Sequence, residues 1–515
     1  MKTALAILTA LLIAPLAALD AAEAAKPNII FILADDLGWG DLGCYGHPHI
    51  RTPNLDAMAA DGRLYTQFYV NSPVCSPSRA AFMTGQFPSR LRVFGALGED
   101  GDEKGNAKFV DPAQPNLARI LKEQGYATGH FGKWHLDSIT DPSAPPISRY
   151  GFDESRAHVA TGPSFDELEK KLPWGEGKNA RSSEWIMSAS LDFLERNKQG
   201  PVFINIWFMV PHASLSPSKE QREGYKEFRS NGRLHDAGLR KGVGADVSTP
   251  QEIYYPSVTE MDAQIGRLIQ KLKEMGTYEN TILVFSSDNG PETIHISKAM
   301  HSGVGSTGVF RGQKRSLYDG GIRVPFIISW PKGGIPRGTV DRALTVSGVD
   351  LLPSLLGLAN VAVPQEFKGD GEDLSKAFLG QSFAREKALF WEQRGGQTGS
   401  PLQFSPRLAM REGPWKLLMN PDGSRLELYD LQKHMMETDN LASEFPEVAQ
   451  RMKASLEDWR KTLPEPNEHF SEMKPSGWET LLSGGKLRKG KTPEPDSAPS
   501  EKGENTKRKR KVKAN

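Results

Sequence analysis

The chain has very little cysteine: two residues in 515, Cys44 and Cys75. That excludes a disulfide framework and leaves the fold to a packed core. The two could form a single bridge; otherwise Cys44 reads as a small buried hydrophobe. The chain also lacks an excess of charge of either sign. Its 64 Lys and Arg against 63 Asp and Glu leave a net charge of +1, which gives no global attraction to nucleic acid or to an anionic membrane. Long apolar runs are missing everywhere except at the start, and no internal stretch approaches the ~20 apolar residues of a membrane span. Stable membrane insertion is therefore not expected. The one such run, residues 4–19, follows Lys2 and precedes Ala22-Glu23-Ala24. That order of a positive residue, an apolar segment and a small-x-small site reads as a signal peptide over residues 1–24, with the mature chain starting near Ala25. No cysteine follows the run, which argues against a lipid anchor. The expectation is an exported protein, periplasmic or secreted.

The length accommodates one large domain and a smaller one. Residues 28–34 (NIIFILA), 202–208 (VFINIWF) and 281–287 (TILVFSS) are apolar runs of strand length, the pattern of strands buried on both faces. Residues 126–131 and 326–330 read as two further strands. Helical spacing occupies 116–124, 182–197 and 253–275, the first and last stopped by Gly125 and Gly276. Strands alternating with helices predict an α/β fold, a large mostly parallel mixed sheet flanked by helices. Beyond about residue 364 the character changes. Residues 408–418, interrupted by Gly413-Pro414, and 425–431 read as a short antiparallel pair around Asn420-Pro421-Asp422-Gly423, followed by an amphipathic helix over 445–463. The domain reading is a catalytic unit over 25–364, a small α+β subdomain over 365–470 and a basic, disordered tail over 471–515.

Polar clusters recur just past the strands. Asp35-Asp36 follows the first, Asp288-Asn289 the strand at 281–287, His212 the strand at 202–208, and Lys133 with His135 the strand at 126–131. In open parallel sheets ligands sit beyond the carboxyl ends of the strands, so one shared site is expected there. Four oxygen-bearing side chains, Asp35, Asp36, Asp288 and Asn289, without sulfur or imidazole, suit a hard cation such as Ca²⁺ or Mg²⁺. Lys133 and His135 are two apart on an extended segment and so point the same way. The most informative stretch is 71–90, NSPVCSPSRAAFMTGQFPSR. Ser76 reads as an N-cap and Pro77 as the first residue of a helix stopped by Gly85. Cys75 then lies at a helix N-terminus, where N–H groups and the dipole favour an anion, with Arg79 reaching the same side.

Cys75-Ser76-Pro77-Ser78-Arg79 followed by Thr84-Gly85 resembles the signature of the type I sulfatases, members of the alkaline-phosphatase-like superfamily. The likeness extends over about residues 27–463. It includes Asp35 to Asp41 (DDLGWGD), Gly132-Lys133-Trp134-His135, the run Arg311-Gly312-Gln313-Lys314 with the DGGIRVP at 319–325, and the Tyr429-Asp430-Leu431 and Glu437 to Ala442 segments. The opening at Asp41 to Pro48 resembles N-acetylgalactosamine-6-sulfatases most, and the chain as a whole looks closest to arylsulfatases and N-acetylgalactosamine-6-sulfatases. The resemblance implies a sulfuric ester hydrolase acting on a sulfated carbohydrate. It further implies that a maturation enzyme oxidises Cys75 to formylglycine, whose hydrate attacks sulfur, and that one calcium is held by Asp35, Asp36, Asp288, Asn289 and the modified Cys75. The implied roles are Asp288 as base, Arg79 and Lys133 stabilising the hydrate, His212 and Lys314 binding sulfate or protonating the leaving group, and His135 releasing sulfate. Ala213-Ser214 departs from the usual Thr-Pro, and Gln313 from a common glycine.

Other readings follow from the same residues. A phosphonate or phosphate monoester hydrolase can share the Cys-x-Pro-x-Arg motif, and a catalytically silent glycan binder would keep the site without turnover. His295, His301 and the Lys- and Arg-rich residues 216–242 are candidate substrate contacts. Gly303 to Gly308 matches a dinucleotide fingerprint by letter but lacks the flanking strand and helix. The basic run 507–513 reads as a solvated tail, not a nucleic-acid arm.

Overall fold

The computed structural model describes residues 26–464 apart from 99–104, 138–140, 142, 159–181, 233, 235–246, 297–298, 395, 398–399 and 401–402. The expected signal peptide and basic tail therefore lie outside the described residues, as does part of the 216–242 segment.

A large sheet organises the chain. Its strands are β1 (Asn28–Asp35), β2 (Arg63–Tyr69), β3 (Ala127–Lys133), β4 (Glu154–His158), β5 (Val202–Pro211), β6 (Thr281–Ser287), β7 (Arg323–Ser329), β8 (Thr339–Asp341) and β9 (Val346–Ser347). They run in the order β4-β3-β5-β1-β6-β7-β2-β8, with β9 also on β2. All neighbours are parallel except β7, which is antiparallel to β6 and β2. The sheet is thus mixed and mostly parallel, as expected, and β1 sits in its middle. Of these strands, β2, β4, β8 and β9 went unread in the sequence; they are short or carry Arg, Gln and Glu that break the apolar pattern.

Every residue of β1 is buried, and the two-residue period of a strand explains how. Ile29, Phe31 and Leu33 join one core while Ile30, Ile32 and Ala34 join the other. The second core is closed by helices α1 (Pro53–Ala60), α4 (Ser182–Arg196) and α5 (Gln251–Glu274). The first is closed by α2 (Cys75–Thr84), α3 (Leu117–Glu123) and α6 (Leu351–Leu358), and it continues without a break into a second sheet. That sheet is antiparallel, β10 (Leu389–Glu392), β11 (Leu408–Glu412), β12 (Trp415–Met419) and β13 (Glu427–Asp430), with α7 (Pro446–Lys461) against it. The sequence reading takes β11 and β12 as one interrupted segment, 408–418, paired with β13, and includes the helix but not β10; the Gly413-Pro414 interruption is where β11 turns back as β12. Among the described residues no helix is long and apolar enough to cross a membrane.

One glycine sets the geometry next to the site. Gly132 pairs with Trp207 on β5 and has φ of +115°, a region that side chains rarely enter. A Cβ there would lie 1.8 Å from the Trp207 carbonyl oxygen. Gly132→Ala is therefore expected to lower unfolding stability by at least about 2 kcal/mol and to push Lys133 off its partner. Denaturant melts of the variant check this, and wild-type stability would contradict it.

Candidate active site

The polar clusters do converge beyond the carboxyl ends of β1, β3, β5 and β6. Consecutive strand residues normally point to opposite faces, yet Asp35 and Asp36 both offer oxygens to one spot, within 4.8 Å of each other and of a His212 ring nitrogen. The cause is local: Asp36 has φ of +67°, a left-handed backbone that turns its carboxylate beside its neighbour's. This strained conformation is held from β6, because the Asp36 N–H donates to Asp288 Oδ1 (3.1 Å) and the Leu37 N–H to Ser287 Oγ (2.9 Å).

Cations partner these carboxylates one by one. Lys133 Nζ donates to Asp35 Oδ2 (2.6 Å) and Lys314 Nζ to Asp36 Oδ2 (2.7 Å). Arg79 forks onto Asp288 Oδ2 through Nε (2.9 Å) and Nη2 (2.7 Å), and its Nη1 donates to the Lys133 carbonyl (2.7 Å). Arg79 is fully buried. It does face the Cys75 side of its helix, as expected, but the anion it holds is the carboxylate of Asp288. Burial alone would raise the Asp36 carboxyl; Lys314, His212 and Lys133 outweigh it and hold the group far below the usual range. Asp288 goes the other way, pushed up to about 6 by burial and by Asp35 against the pull of Arg79. Two buried oxygens, Asp35 Oδ1 and Asn289 Oδ1, lack a hydrogen-bond partner. Orphan oxygens are costly inside a protein, and two of them on residues adjoining or bonded to Asp36 suit a hard divalent cation in chemistry. The Asn289 amide donates to Asp36 Oδ1 (2.7 Å) and to the Gly290 carbonyl (2.8 Å).

Cys75 lies at the start of α2, with Val74 preceding it as N-cap. The helix therefore begins two residues earlier than the sequence suggested. Pro77 is tolerated inside the first turn, where no backbone N–H is needed, and the Ser76 hydroxyl accepts from the Leu97 N–H (3.0 Å) in place of capping. Gly85 ends the helix with φ of +64°. Both cysteines are free thiols, Cys75 buried and Cys44 half-buried, so neither the bridge nor a fully buried Cys44 holds. Burial pushes the Cys75 thiol up in spite of Lys133 and Lys314, so the sulfur is kept protonated. Its neighbour is His135, whose Nδ1 is 3.3 Å from Sγ while Nε2 is 3.1 Å from the Leu97 carbonyl. A carbonyl only accepts, so Nε2 carries the proton and Nδ1 presents its lone pair to residue 75. Burial, with Lys133 and Arg79, holds the ring neutral. Lys133 and His135 do share the site, though not by strand alternation: Lys133 ends β3 and His135 has φ of +57°. Asp288, by contrast, has Oδ2 on Arg79 and Oδ1 on the Asp36 N–H.

His212 follows β5 directly and is the open member of the group, its side chain a third exposed, with Nε2 3.8 Å from Asp36 Oδ2. Burial and Lys314 lower its pKa to about 4. Two residues escaped the sequence reading. Glu292 accepts from Arg315 (2.7 Å) and lies 3.8 Å from Lys314 Nζ. The signal was available in position only, since Arg315 adjoins Lys314 and Glu292 comes three after Asn289. Of the proposed substrate contacts, His301 is buried and its Nε2 accepts from the Leu215 N–H (3.0 Å), while His295 is exposed. The fingerprint-like loop at 303–308 is a strut. Asp41, buried and pushed up to about 7, accepts from Ser306 N–H (2.7 Å), Gly38 N–H (2.6 Å) and Tyr254 Oη (2.7 Å).

Residues 27–361 match the sulfatase family and residues 305–462 the family described as N-sulphoglucosamine sulphohydrolase, C-terminal. Human arylsulfatase A is 30% identical over 486 residues, covering 84% of this chain and 87% of the relative. The dog N-acetylgalactosamine-6-sulfatase is 34% identical over 398 residues, 72% of this chain and 69% of the relative. An N-acetylgalactosamine-6-O-sulfatase of Bacteroides thetaiotaomicron is 27% identical over 517 residues, 84% and 93%. Among solved structures, Ps i-CgsB in complex with k-i-k-neocarrahexaose superposes with a TM-score of 0.69 at 24% identity, covering 89% of this chain and 98% of that one. The phosphonate monoester hydrolase of Agrobacterium radiobacter superposes at 0.61 and 22% identity, covering 85% and 96%, which speaks to the shared fold. With a free cysteine in the Cys-x-Pro-x-Arg turn, acids at the ends of β1 and β6 and these relatives, the chain belongs to the sulfatase family and is a sulfuric ester hydrolase.

Proposed function

We propose that this exported enzyme removes sulfate from a sulfated carbohydrate, using Cys75 matured to formylglycine by a dedicated oxidising enzyme and one calcium. We assign the catalytic domain to residues 25–364 and the C-terminal subdomain to 365–470, behind a leader at 1–24. The observation that carries the reading is the placement of Cys75: buried at a helix start, touching a neutral His135, and within electrostatic reach of Lys133, Lys314, Asp35 and Asp288. The sugar is supported by the names of the relatives, which include N-acetylgalactosamine-6-sulfatases.

Asp35, Asp36, Asp288, Asn289 and the residue-75 side chain would hold the calcium. When present, the formylglycine hydrate supplies an oxygen nucleophile for sulfur and the calcium supplies Lewis-acid neutralisation of sulfate charge. The protein's own groups do the rest. Arg79, Lys133, Lys314 and Arg315 balance Asp35, Asp36, Asp288 and Glu292 charge for charge, so a divalent ion leaves the pocket positive and ready for an anionic ester. The Lys133 and Lys314 ammoniums, nearly inaccessible to water, bind the sulfate oxygens. His135 Nδ1 accepts the proton of the residue-75 hydroxyl. The leaving sugar must lie toward solvent, where His212 stands. Its Nδ1 is committed to the Ala213 carbonyl (2.5 Å), so Nε2 is the atom that exchanges a proton with the leaving oxygen. An anionic ester beside it favours the protonated ring.

Three outcomes are expected. The peptide containing residue 75, from protein of the native source, carries an aldehyde by mass spectrometry, and Cys75→Ala folds normally without turnover; an active Cys75→Ala variant would sink the nucleophile. Chelation lowers both activity and melting temperature, and calcium restores them, the stability change being about 3 kcal/mol at a hundredfold excess over Kd. His212→Ala loses about 10²–10⁴-fold on a sugar sulfate but far less on an aryl sulfate whose phenolate leaves unaided. An equal loss on both substrates would remove His212 from the acid role. Faster turnover of an aryl phosphate or phosphonate than of the matching sulfate would overturn the substrate class.

A further inference from the structure

Lys314 lies on a loop, residues 311–319, whose inner edge faces the site. The Lys314 N–H donates to the Pro291 carbonyl (2.9 Å) and the Arg315 N–H to the Pro73 carbonyl (2.9 Å). The outer edge of the same loop is bound almost residue by residue to the C-terminal part of the chain. The Gly312 N–H donates to Gln403 Oε1, Ser316 Oγ to the Gln403 carbonyl (2.7 Å), and the Leu317 N–H to Ser405 Oγ (2.8 Å). Tyr318 Oη donates to Glu427 Oε2 (2.7 Å), and Arg311 Nη1 to the Glu437 carbonyl (3.0 Å). At the loop's end the Asp319 N–H donates to Glu437 Oε2 (2.6 Å).

Beneath these contacts Lys416, on β12, is wholly inaccessible, with Nζ 2.7 Å from both Asp319 Oδ1 and Glu437 Oε1. Glu437 reaches it from a left-handed backbone, φ +53°. A buried ion triad is a poor way to gain stability, because apolar residues of similar volume usually do as well. Its better-attested use is to fix register, and here it fixes one end of the Lys314 loop while Gln403 fixes the other. The loop also closes on itself, the Gly320 N–H donating to the Arg311 carbonyl (2.7 Å), so a shift at either anchor moves Lys314 as well.

We infer that the C-terminal sheet is a clamp that sets the position of Lys314, with Gln403, Lys416 and Glu437 as its positioning residues. This rests on the reading of Lys314 as a sulfate-binding cation. A displaced ammonium loses sulfate affinity and transition-state charge together, because both depend on the distance from Nζ to the same oxygens.

The test measures equilibrium binding of inorganic sulfate to the full-length, matured, calcium-loaded protein by calorimetry. Gln403→Met, which removes the acceptor for Gly312, is expected to weaken sulfate binding about 3- to 30-fold. Gln403→Glu keeps an oxygen at that place and is expected to restore it. Lys416→Met combined with Glu437→Gln removes both charges together and is expected to act like Gln403→Met. In a Lys314→Ala background none of these changes should weaken binding further, because their route to the ligand is gone. Equal weakening in both backgrounds, or none in either, would overturn the clamp. Should Lys314→Ala alone leave sulfate binding intact, the reading of Lys314 fails and the clamp falls with it. If Gln403→Met does not fold, the charge pair and Ser405→Ala provide the same cycle.

Discussion

The structure depends on one interaction above all, the placement of a full set of buried carboxylates against a full set of buried cations at the ends of β1 and β6. Asp35, Asp36 and Asp288 have no access to solvent beyond a trace, and neither do Arg79, Lys133 and Lys314. Stripping one partner from such a set costs about 3–5 kcal/mol because the remaining charge stays buried. The rest of the fold keeps that from happening. Two cores hold β1 from both faces, β6 and β5 fix its register, and the α2 turn delivers Arg79 from the other side. The left-handed backbone at Asp36 is tolerable only because β6 grips it through Ser287 and Asp288.

That dependence explains what could be read from the chain alone. The strands that carry the acids are uniformly apolar, so β1 and β6 were legible almost to the residue, and the polar residues after them had to lie at one edge of the sheet. The β5 strand was legible for the same reason, although it runs on to Pro211 and so brings His212 directly to the site. Strands β2 and β4 pack fewer of their residues, with Arg63, Gln67, Glu154 and Arg156 at least partly exposed, and period-two patterning fades there. What strand alternation does not account for is direction. Alternation predicts that Lys133 and His135 agree and that Asp35 and Asp36 disagree; the left-handed turns at His135 and Asp36 make both pairs agree. Backbone signs of that kind are set by tertiary contacts; Asp and His are enriched in the left-handed region, but the residue type alone does not announce it.

The partners of the site were harder to read than its members. Motif letters identify Lys314 but not Glu292 and Arg315, and no spacing rule connects Lys416 or Gln403 to a loop about a hundred residues earlier. Those contacts cross from one sheet to another, so they exist only once the first core has closed around both. The sulfatase resemblance, strongest in the N-terminal half, therefore named the groups gathered at the strand ends and was silent about what holds them.

Exposure within the site has a direction, and it says which way the substrate lies. Arg79 is inaccessible, Lys133 and Lys314 nearly so, Arg315 a quarter exposed and His212 a third. A sulfate group small enough to be surrounded belongs at the closed end, where charge stabilisation is strongest because water is excluded. On the proposed reading, a sugar would extend past His212 and Arg315. The residues beside His212 and Arg315 belong to the segments after β5 and after β6, which include Ala213-Ser214, the departure from the family pattern. The proposed recognition of sulfate is thus built on strand ends and two cores, whereas the proposed recognition of the sugar is left to loops. Chemistry can then stay constant while the choice of substrate changes, and a sequence reading that rests on apolar periodicity sees the first and not the second.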